Sequence, residues 1–140
     1  TDYPAHVRLY DILREGEDVT IVTWGAITTD VLQAAEQLAT QGISAEVLDL
    51  ATVSPIDSET ILDWVAKTGR LVIVHEAARN CGVGAEIAAT LARDAFFDLD
   101  APIERVTMPD VPSPHSPLLL DSVVPSVARI TDAIRQLASI

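Results

Sequence analysis

The sequence predicts an α/β fold in which a parallel sheet is covered by helices on both faces. Two observations support this prediction. Short runs rich in Val, Ile and Leu alternate along the chain with longer segments whose apolar residues recur every three or four positions, which are the patterns of buried strands and amphipathic helices. The connections between these segments are short, and alternating strands and helices joined in this way form parallel sheets.

Five strands are predicted from the apolar runs. The second run is continuous, rich in β-branched residues and closed by Gly25, as expected of a strand buried on both faces. In order, the five strands cover Arg8–Leu13 at the edge of the sheet, Val19–Trp24, Ser44–Leu50, Arg70–His75 and Ile103–Met108.

Four amphipathic helices are predicted from capping residues, glycines and apolar stripes. From its first capping residue to its terminating residue, each of the first three predicted helices covers, in order, Thr28 or Thr29 to Gly42, Asp57 or Ser58 to Gly69, and Gly84 to Phe96. The fourth helix has Pro125 in its first turn. The segment Pro109–Pro117 holds four prolines in nine residues, so we expect a stiff surface loop there and no helix.

The organisation of the chain is expected to be simple. Its 140 residues suffice for one domain with a full core, and we expect a leading segment with an edge strand over residues 1–13 and a single domain over 14–140. Thr1 rather than Met opens the chain, which is typical of a processed fragment or a cloned domain. The single Cys81 excludes an internal disulfide and suits a reducing compartment.

Composition excludes several classes of protein. No apolar run is long enough to cross a membrane and no signal peptide opens the chain. We expect a cytoplasmic protein of a bacterium rather than one of the mitochondrial matrix. Nine Lys and Arg against 21 Asp and Glu give a net charge of −12. Such a surface repels nucleic acid and attracts a basic partner, although the same charge also suits a solvated surface that only aids solubility.

The clearest functional signal is the segment VHEAARNCGVGAEIA, residues 74–88. It runs from the end of a buried strand through a polar loop with two glycines into the start of a helix. In a parallel sheet such a loop lies at the carboxyl edge, where ligands and partners bind. A doubly wound sheet reverses direction around its first long parallel strand, so Trp24–Ala26 is expected beside His75–Gly84 in the crevice.

His75 and Glu76 within this segment suggest acid–base chemistry, because a histidine titrates near neutrality and a carboxylate can orient it. Adjacent residues at the end of a strand point to opposite faces, however, so the two side chains do not form a dyad by themselves. A structural or interface role is therefore favoured for His75.

Other kinds of site are weakly indicated. Cys81 lies beside a helix start that could activate its thiol, but no second cysteine accompanies it. Gly82-Val83-Gly84 is similar to part of a phosphate cradle, yet no Lys or Asp completes a nucleotide fingerprint. The three histidines, His6, His75 and His115, lack metal-ligand spacing. We therefore expect no catalytic, cofactor-binding or metal-ligating residue in this chain.

Motifs along most of the chain resemble a known family. The first set resembles the carboxyl-terminal domain of transketolase-type thiamine diphosphate enzymes, and the second narrows the resemblance to the β subunits of 2-oxo acid dehydrogenases. The first set comprises Asp18–Gly25, Glu46–Leu50 and Ser54-Pro55, and the second Val74–Ala77, Gly82–Ile87, Leu99–Pro102, Arg105–Thr107 and Asp110–Pro114. The match extends from Leu13 to Ile140.

The resemblance implies a three-layer α/β/α domain with a mixed, mostly parallel five-stranded sheet whose first strand is antiparallel at the edge. In this family, thiamine diphosphate and magnesium are held by the α subunit, and the glutamate that activates the cofactor lies in the preceding β domain. The parent reaction is the decarboxylation of a 2-oxo acid with reductive acylation of a lipoyl group. We expect the isolated chain to be inactive; pyruvate, acetoin and branched-chain substrates all remain open.

The role that the resemblance implies is assembly and docking. Six residues are expected to lie at a contact with the α subunit or the second β subunit of a heterotetramer: His75, Glu76, Arg79, Gly82, Gly84 and Glu86. Asp100 and the terminal Ile140 are expected to dock the basic subunit-binding domain of the dihydrolipoyl acyltransferase core. The alternative is a free-standing doubly wound module that holds a small anion or a nucleotide at Gly82–Glu86.

Overall fold

A computed structural model describes residues 8–140 of the chain. Five strands and five helices follow one another in this part of the protein. They are β1 (Asp11–Arg14), β2 (Val19–Thr23), α1 (Thr28–Ala39), β3 (Ala45–Asp49), α2 (Ser58–Thr68), β4 (Leu71–Ala78), α3 (Val83–Asp94), β5 (Glu104–Met108), α4 (Pro117–Val123) and α5 (Val127–Ala138). Most of the predicted leading segment, including His6, lies outside the described residues.

The strands form one sheet in the order β1-β3-β2-β4-β5. β1 is antiparallel to β3, and all other neighbours are parallel. The predicted α/β fold, with a mixed five-stranded sheet and an antiparallel first strand at its edge, is confirmed. β1 itself spans the boundary that was expected between residues 13 and 14.

Two apolar cores lie on opposite faces of the sheet, so the domain has three layers. Buried residues of α1 and α5 pack on one face, and buried residues of α2 and α3 pack on the other. Every residue of β2 is buried, as its continuous apolar run predicts. None of the described helices has the length and apolar character needed to span a membrane.

Several predicted boundaries were wrong, and each error has a local cause. β4 continues through Ala78 because that residue still pairs with Met108 of β5 after an irregularity in the register. The stretch before Pro117 is a loop, as predicted, but Pro117 itself begins α4, which was not predicted. Proline is tolerated in a first helical turn because the missing N–H has no helical partner there. Pro125, in contrast, precedes α5, which Ser126 caps.

The capping predictions differ between the first two helices. Asp57 caps α2 by accepting a hydrogen bond from the Thr60 N–H at 3.2 Å, and Gly69 ends that helix in the left-handed conformation, as predicted. The predicted threonine cap of α1 was wrong, since the N-cap is Ile27 and no side chain caps it.

A charged side chain is buried beneath α2. Glu46 of β3 is fully buried and is held by the hydroxyl of Thr20 and the ammonium of Lys67. The Thr20 hydroxyl also lies 2.7 Å from that of Thr68. Burial raises the pKa of the Glu46 carboxyl, and the contact with Lys67 only partly offsets this effect. The ammonium of Lys67, half-exposed and 4.7 Å from the ring centre of Trp64, therefore favours the charged form of Glu46 against the effect of burial.

Removing that cation should destabilise the domain. We expect Lys67→Met to lower the free energy of unfolding at pH 7 by about 1–3 kcal/mol, less than for a fully buried pair because the Lys67 head is half-exposed. Without Lys67, Glu46 becomes a buried acid with a raised pKa, so the loss should shrink as the pH falls and Glu46 binds a proton. Urea denaturation at pH 7 and pH 5 tests this, with Glu46→Gln/Lys67→Met as the matched control. Equal losses in the single and double variants would contradict the interpretation.

Candidate functional site

The candidate site lies at the point of the sheet where successive strands are added on opposite sides of β2. β3 and β4 flank β2 on opposite sides, so the crevice between the carboxyl ends of β2 and β4 is the topological switch point of the fold. Trp24 follows β2 and His75 lies in β4. Their rings stack with centres 5.0 Å apart and planes inclined by 11°. The predicted meeting of these two segments is confirmed, and two stacked side chains occupy the position where such folds usually hold a ligand.

His75 is enclosed by the chain itself. Its side chain is fully buried, its Nδ1 accepts a hydrogen bond from the Ala77 N–H at 3.3 Å, and its Nε2 has no partner among the described residues. Burial lowers the pKa of the imidazole, and the nearby charge of Arg105 lowers it further. The ring is therefore neutral near pH 7, and with no access to solvent it does not exchange protons with a ligand.

The two glycines of the loop make room for this ring. A Cβ on Gly84 would lie 2.6 Å from His75 Cδ2, and one on Gly82 would lie 2.7 Å from the Ala78 carbonyl oxygen and 3.0 Å from His75 Cε1. Real side chains do not approach so closely, so both positions require glycine for packing within the chain. The glycines therefore do not by themselves indicate a cradle for a phosphate.

The charged residues of the segment point outward. Glu76, Arg79 and Glu86 are exposed in the isolated domain. Arg79 reaches across to β5, where its Nη1 donates to the Arg105 carbonyl oxygen at 3.0 Å. The six expected contact residues therefore divide into a buried support, formed by His75 with its two glycines, and three exposed charges.

Cys81 adopts a backbone conformation that favours glycine. Its φ is +58°, in the left-handed region that non-glycine residues seldom occupy. The backbone N–H of Asn80, the residue before Cys81, donates a hydrogen bond to Asp110 Oδ1 at 2.8 Å. This hydrogen bond ties the loop after β4 to the proline-rich loop after β5, so the two loops form one surface.

Beside that surface, α4 adds apolar side chains that the sequence did not reveal. None of its residues is buried. Leu118 is 84% exposed, and Leu119 of the same helix and Val111 of the proline-rich loop are exposed as well. A helix whose leucines face solvent has no role in the core of this domain. The sequence signal was the run of three leucines after Pro117, which the prediction assigned to no element.

The expected docking residues lie on a different side of the domain. The carboxylate of Asp100 sits over the α carbon of Gly69, and the Asp100 N–H donates to the Gly69 carbonyl oxygen at 2.8 Å. Ile140 is 68% exposed and lines a small cavity of about 130 Å³ with Pro102. Since Pro102 is two residues from Asp100, the structure brings the chain end close to the segment that carries this acid.

A larger apolar groove adjoins the same segment. It has a volume of about 550 Å³ and is lined by Ala88, Ala92, Phe96, Leu99, Ala101, Pro102 and Ile103. Phe96 is 66% and Phe97 is 97% exposed, and their rings meet edge to face with centres 5.2 Å apart. Sequence reasoning took Phe96 as the last residue of a helix. It missed this surface because α3 ends at Asp94 and the two rings follow in an irregular turn.

Thiamine diphosphate and magnesium do not fit the described residues. A magnesium diphosphate needs several oxygen ligands around the ion, and residues 8–140 contain no group of three or more His, Cys, Asp or Glu side chains that could hold a metal. The two glycines that a diphosphate could approach are occupied by His75. That the cofactor is held by other parts of the parent enzyme remains a prediction.

A side chain placed at Gly84 should destabilise the domain itself, whether or not a partner is bound. We expect Gly84→Val to lower the free energy of unfolding by about 1–3 kcal/mol because the new side chain overlaps the imidazole. The control is Ala89→Val, an exposed position of the same helix, which should cost less than about 1 kcal/mol. Chemical denaturation of both variants checks this, and equal effects would show that Gly84 is not held against His75.

The buried imidazole should also make stability depend on pH. The folded state keeps His75 neutral below its ordinary pKa of 6.5, whereas the unfolded chain binds a proton there. Stability is therefore fully present above that value and is lost as the pH falls, by up to about 1.4 kcal/mol per pH unit. Urea denaturation between pH 8 and pH 5 measures this slope. It should flatten in His75→Asn but persist in His115→Asn, whose side chain is exposed; the same slope in all three proteins would contradict the assignment.

Comparison with known proteins agrees with this architecture. Residues 10–130 match the transketolase C-terminal domain family. Over 126 residues, 90% of this chain, it is 47% identical to the acetoin:2,6-dichlorophenolindophenol oxidoreductase subunit beta of Cupriavidus necator. It is 39% identical over 98% of its length to the 2-oxoisovalerate dehydrogenase subunit beta of Bacillus subtilis. It is 46% identical over 88% of its length to the mitochondrial pyruvate dehydrogenase E1 component subunit beta of Dictyostelium discoideum.

A solved structure extends the comparison to three dimensions. A split-gene transketolase, described as an inactive β4 tetramer, superposes on 98% of this chain with a TM-score of 0.83 at 28% identity, and 46% of that chain is covered. The present chain spans 35–42% of the three curated relatives, so it corresponds to one part of longer proteins. By the family match and these relatives, the chain belongs to the transketolase C-terminal domain family and is related to the β subunits of pyruvate, branched-chain 2-oxo acid and acetoin dehydrogenases.

Proposed function

We propose that this chain is the carboxyl-terminal assembly and docking domain of the β subunit of a thiamine diphosphate-dependent 2-oxo acid dehydrogenase. In that enzyme it contributes no catalytic group. It assembles with an α subunit and a second β subunit into a heterotetramer and presents a docking surface to the acyltransferase core. The parent reaction, oxidative decarboxylation with acylation of a lipoyl group, takes place on other parts of the assembly.

The observation that carries this proposal is the exposed apolar surface of the domain. Leu118, Leu119 and Val111 beside the carboxyl edge, and Phe96 and Phe97 at the end of α3, are all large side chains in solvent. Soluble monomers seldom expose such groups in clusters, because they cost free energy until a partner covers them. Two separate clusters suit a domain that is part of a larger assembly, as the β subunits related to it are.

The carboxyl edge supplies the proposed contact within the heterotetramer. Glu76 in β4 and Glu86 in α3 offer exposed charges there, and the loop that joins these two elements is held in place by the buried His75 and its two glycines. A fixed loop loses little conformational entropy when a subunit binds to it. His75 thus contributes to this contact from within, by positioning the loop.

The proposed docking surface for the acyltransferase core contains Asp100 and Ile140. Asp94 and Asp98 are also exposed near Asp100, so this side of the domain attracts a basic partner. The exposed side chain of Ile140 can pack against that partner while the carboxylate of Asp100 pairs with Lys or Arg. A subunit-binding domain with a basic surface fits this combination of an apolar side chain and acidic groups.

Docking should depend on the carboxylate of Asp100 more than on other acidic side chains at the surface. We expect Asp100→Ala to weaken binding of the acyltransferase subunit-binding domain by about tenfold or more, because a charge pair shielded from water is lost. Glu36→Ala, which removes one charge from an exposed position of α1, should change the affinity by less than about twofold. Calorimetric titration of the assembled β subunit at low and high salt measures both effects.

The same titration separates docking from a solvated acidic patch. Ile140→Ser should also weaken binding, since it removes the exposed apolar side chain that packs against the partner. If Asp100→Ala and Ile140→Ser both bind the core as tightly as the natural subunit, the docking assignment is wrong. If both variants also fail to assemble with the α subunit, the surface belongs to the heterotetramer instead.

A further inference from the structure

Three arginines meet in a groove on the flank of the sheet beside β5. Arg79 follows β4, Arg105 lies in β5 and Arg129 lies in the first turn of α5. Their side chains line an opening of about 360 Å³, a volume typical of small-molecule sites. The whole chain has only nine basic residues and a net charge of −12, so this concentration of positive charge is opposite to the rest of its surface.

Each guanidinium is fixed by a main-chain oxygen. Arg79 Nη1 donates to the Arg105 carbonyl at 3.0 Å, and Arg105 Nη1 donates to the Arg79 carbonyl at 2.9 Å. Arg129 Nη2 donates to the carbonyl of Thr107 at 2.9 Å. Because a guanidinium carries five N–H donors, each arginine is held in position and still has donors left for a ligand.

No ion pair within the described part of the chain uses the guanidinium groups of the groove. The ion pairs there join Arg8 to Asp11, Lys67 to Glu46, Arg93 to Asp94 and Arg135 to Asp132. None involves the three arginines of the groove. Of the two acidic residues that line it, Asp132 is paired with Arg135 at 2.7 Å, and Glu104 forms no ion pair within residues 8–140.

The position of Arg129 argues against a purely structural role. It lies in the first turn of α5, which contains no acidic residue, and a cation is unfavourable there because the helix dipole is positive at that end. A bound anion would reverse this penalty, since it would lie close to both the guanidinium and the helix start. The three arginines together offer more forked donors than the two oxygens of one carboxylate can accept, whereas a phosphoryl group has three terminal oxygens and nearly two negative charges.

We propose that the groove formed by Arg79, Arg105 and Arg129 is a binding site for a phosphoryl group, supplied by inorganic phosphate or by a small phosphate monoester. The site goes beyond the proposed function and uses neither the apolar surfaces nor Asp100, although it shares Arg79 with the expected subunit contact. It also differs from the helix start at Gly82–Glu86, where the glycines serve the packing of His75.

A titration of the isotope-labelled chain at constant ionic strength tests the proposal. Inorganic phosphate should shift the backbone amide signals of the three arginines in a saturable manner, with a Kd of about 1 mM or tighter. Glycerol 3-phosphate in a second titration distinguishes the two sources, because a monoester site binds it more tightly than phosphate and a site for free phosphate binds it more weakly. Either order supports the phosphoryl site.

Variants separate a built site from general attraction. Arg129→Gln should weaken phosphate binding by about tenfold, since hydrogen bonds to a charged group are lost. Arg129→Lys should recover only part of the affinity because lysine lacks the planar fork. The control Arg93→Gln removes the same charge from exposed α3 and should have less than about a twofold effect, since screening limits its range.

Three results would overturn the proposal. One is the absence of saturable shifts at the groove, and another is an equal loss of affinity in Arg129→Gln and Arg93→Gln. The third is a response to an acidic peptide with none to phosphate, which would make the groove a protein contact. The thermal melting temperature of each variant, measured without phosphate, shows that a loss of binding is not a loss of fold.

Discussion

The burial of one imidazole constrains the whole carboxyl edge of the domain. His75 stacks on Trp24 across the switch point, accepts a hydrogen bond from the N–H of Ala77 and packs against Gly84. Because its ring fills the crevice, the two positions at the start of α3 that touch the ring, Gly82 and Gly84, must be glycine. The same packing turns Glu76 and Arg79 outward. The loop and the start of the helix therefore both depend on one side chain.

The elements that the sequence predicted well are those whose pattern has a single physical explanation. The buried run of β2, the cap Asp57 and the left-handed Gly69 each follow from one local rule. Where tertiary pairing competes with local preference, the prediction failed. β4 extends to Ala78 because β5 lies beside it. The missed α4 has a local cause instead, since Pro117 is tolerated in its first turn.

The candidate site was predictable in outline but not in chemistry. The sequence located the loop after β4 and its meeting with Trp24, because these depend on strand order. It could not show that His75 points inward or that Gly82 and Gly84 pack against it, since the facing of a strand end depends on register. The arginine groove was missed because its three members are far apart in sequence and meet only through the pairing of β4 with β5 and the packing of α5.

Phe97, almost wholly in solvent, has a consequence for the colloidal behaviour of the chain. The two exposed phenylalanines and the leucines of α4 form surfaces through which molecules can associate. The net charge of −12 on each chain makes separate molecules repel one another. That repulsion acts over about 10 Å at moderate salt and disappears as the pH approaches the isoelectric point near 4.3. The acidity of this chain thus keeps its molecules dispersed while its adhesive surfaces stay uncovered.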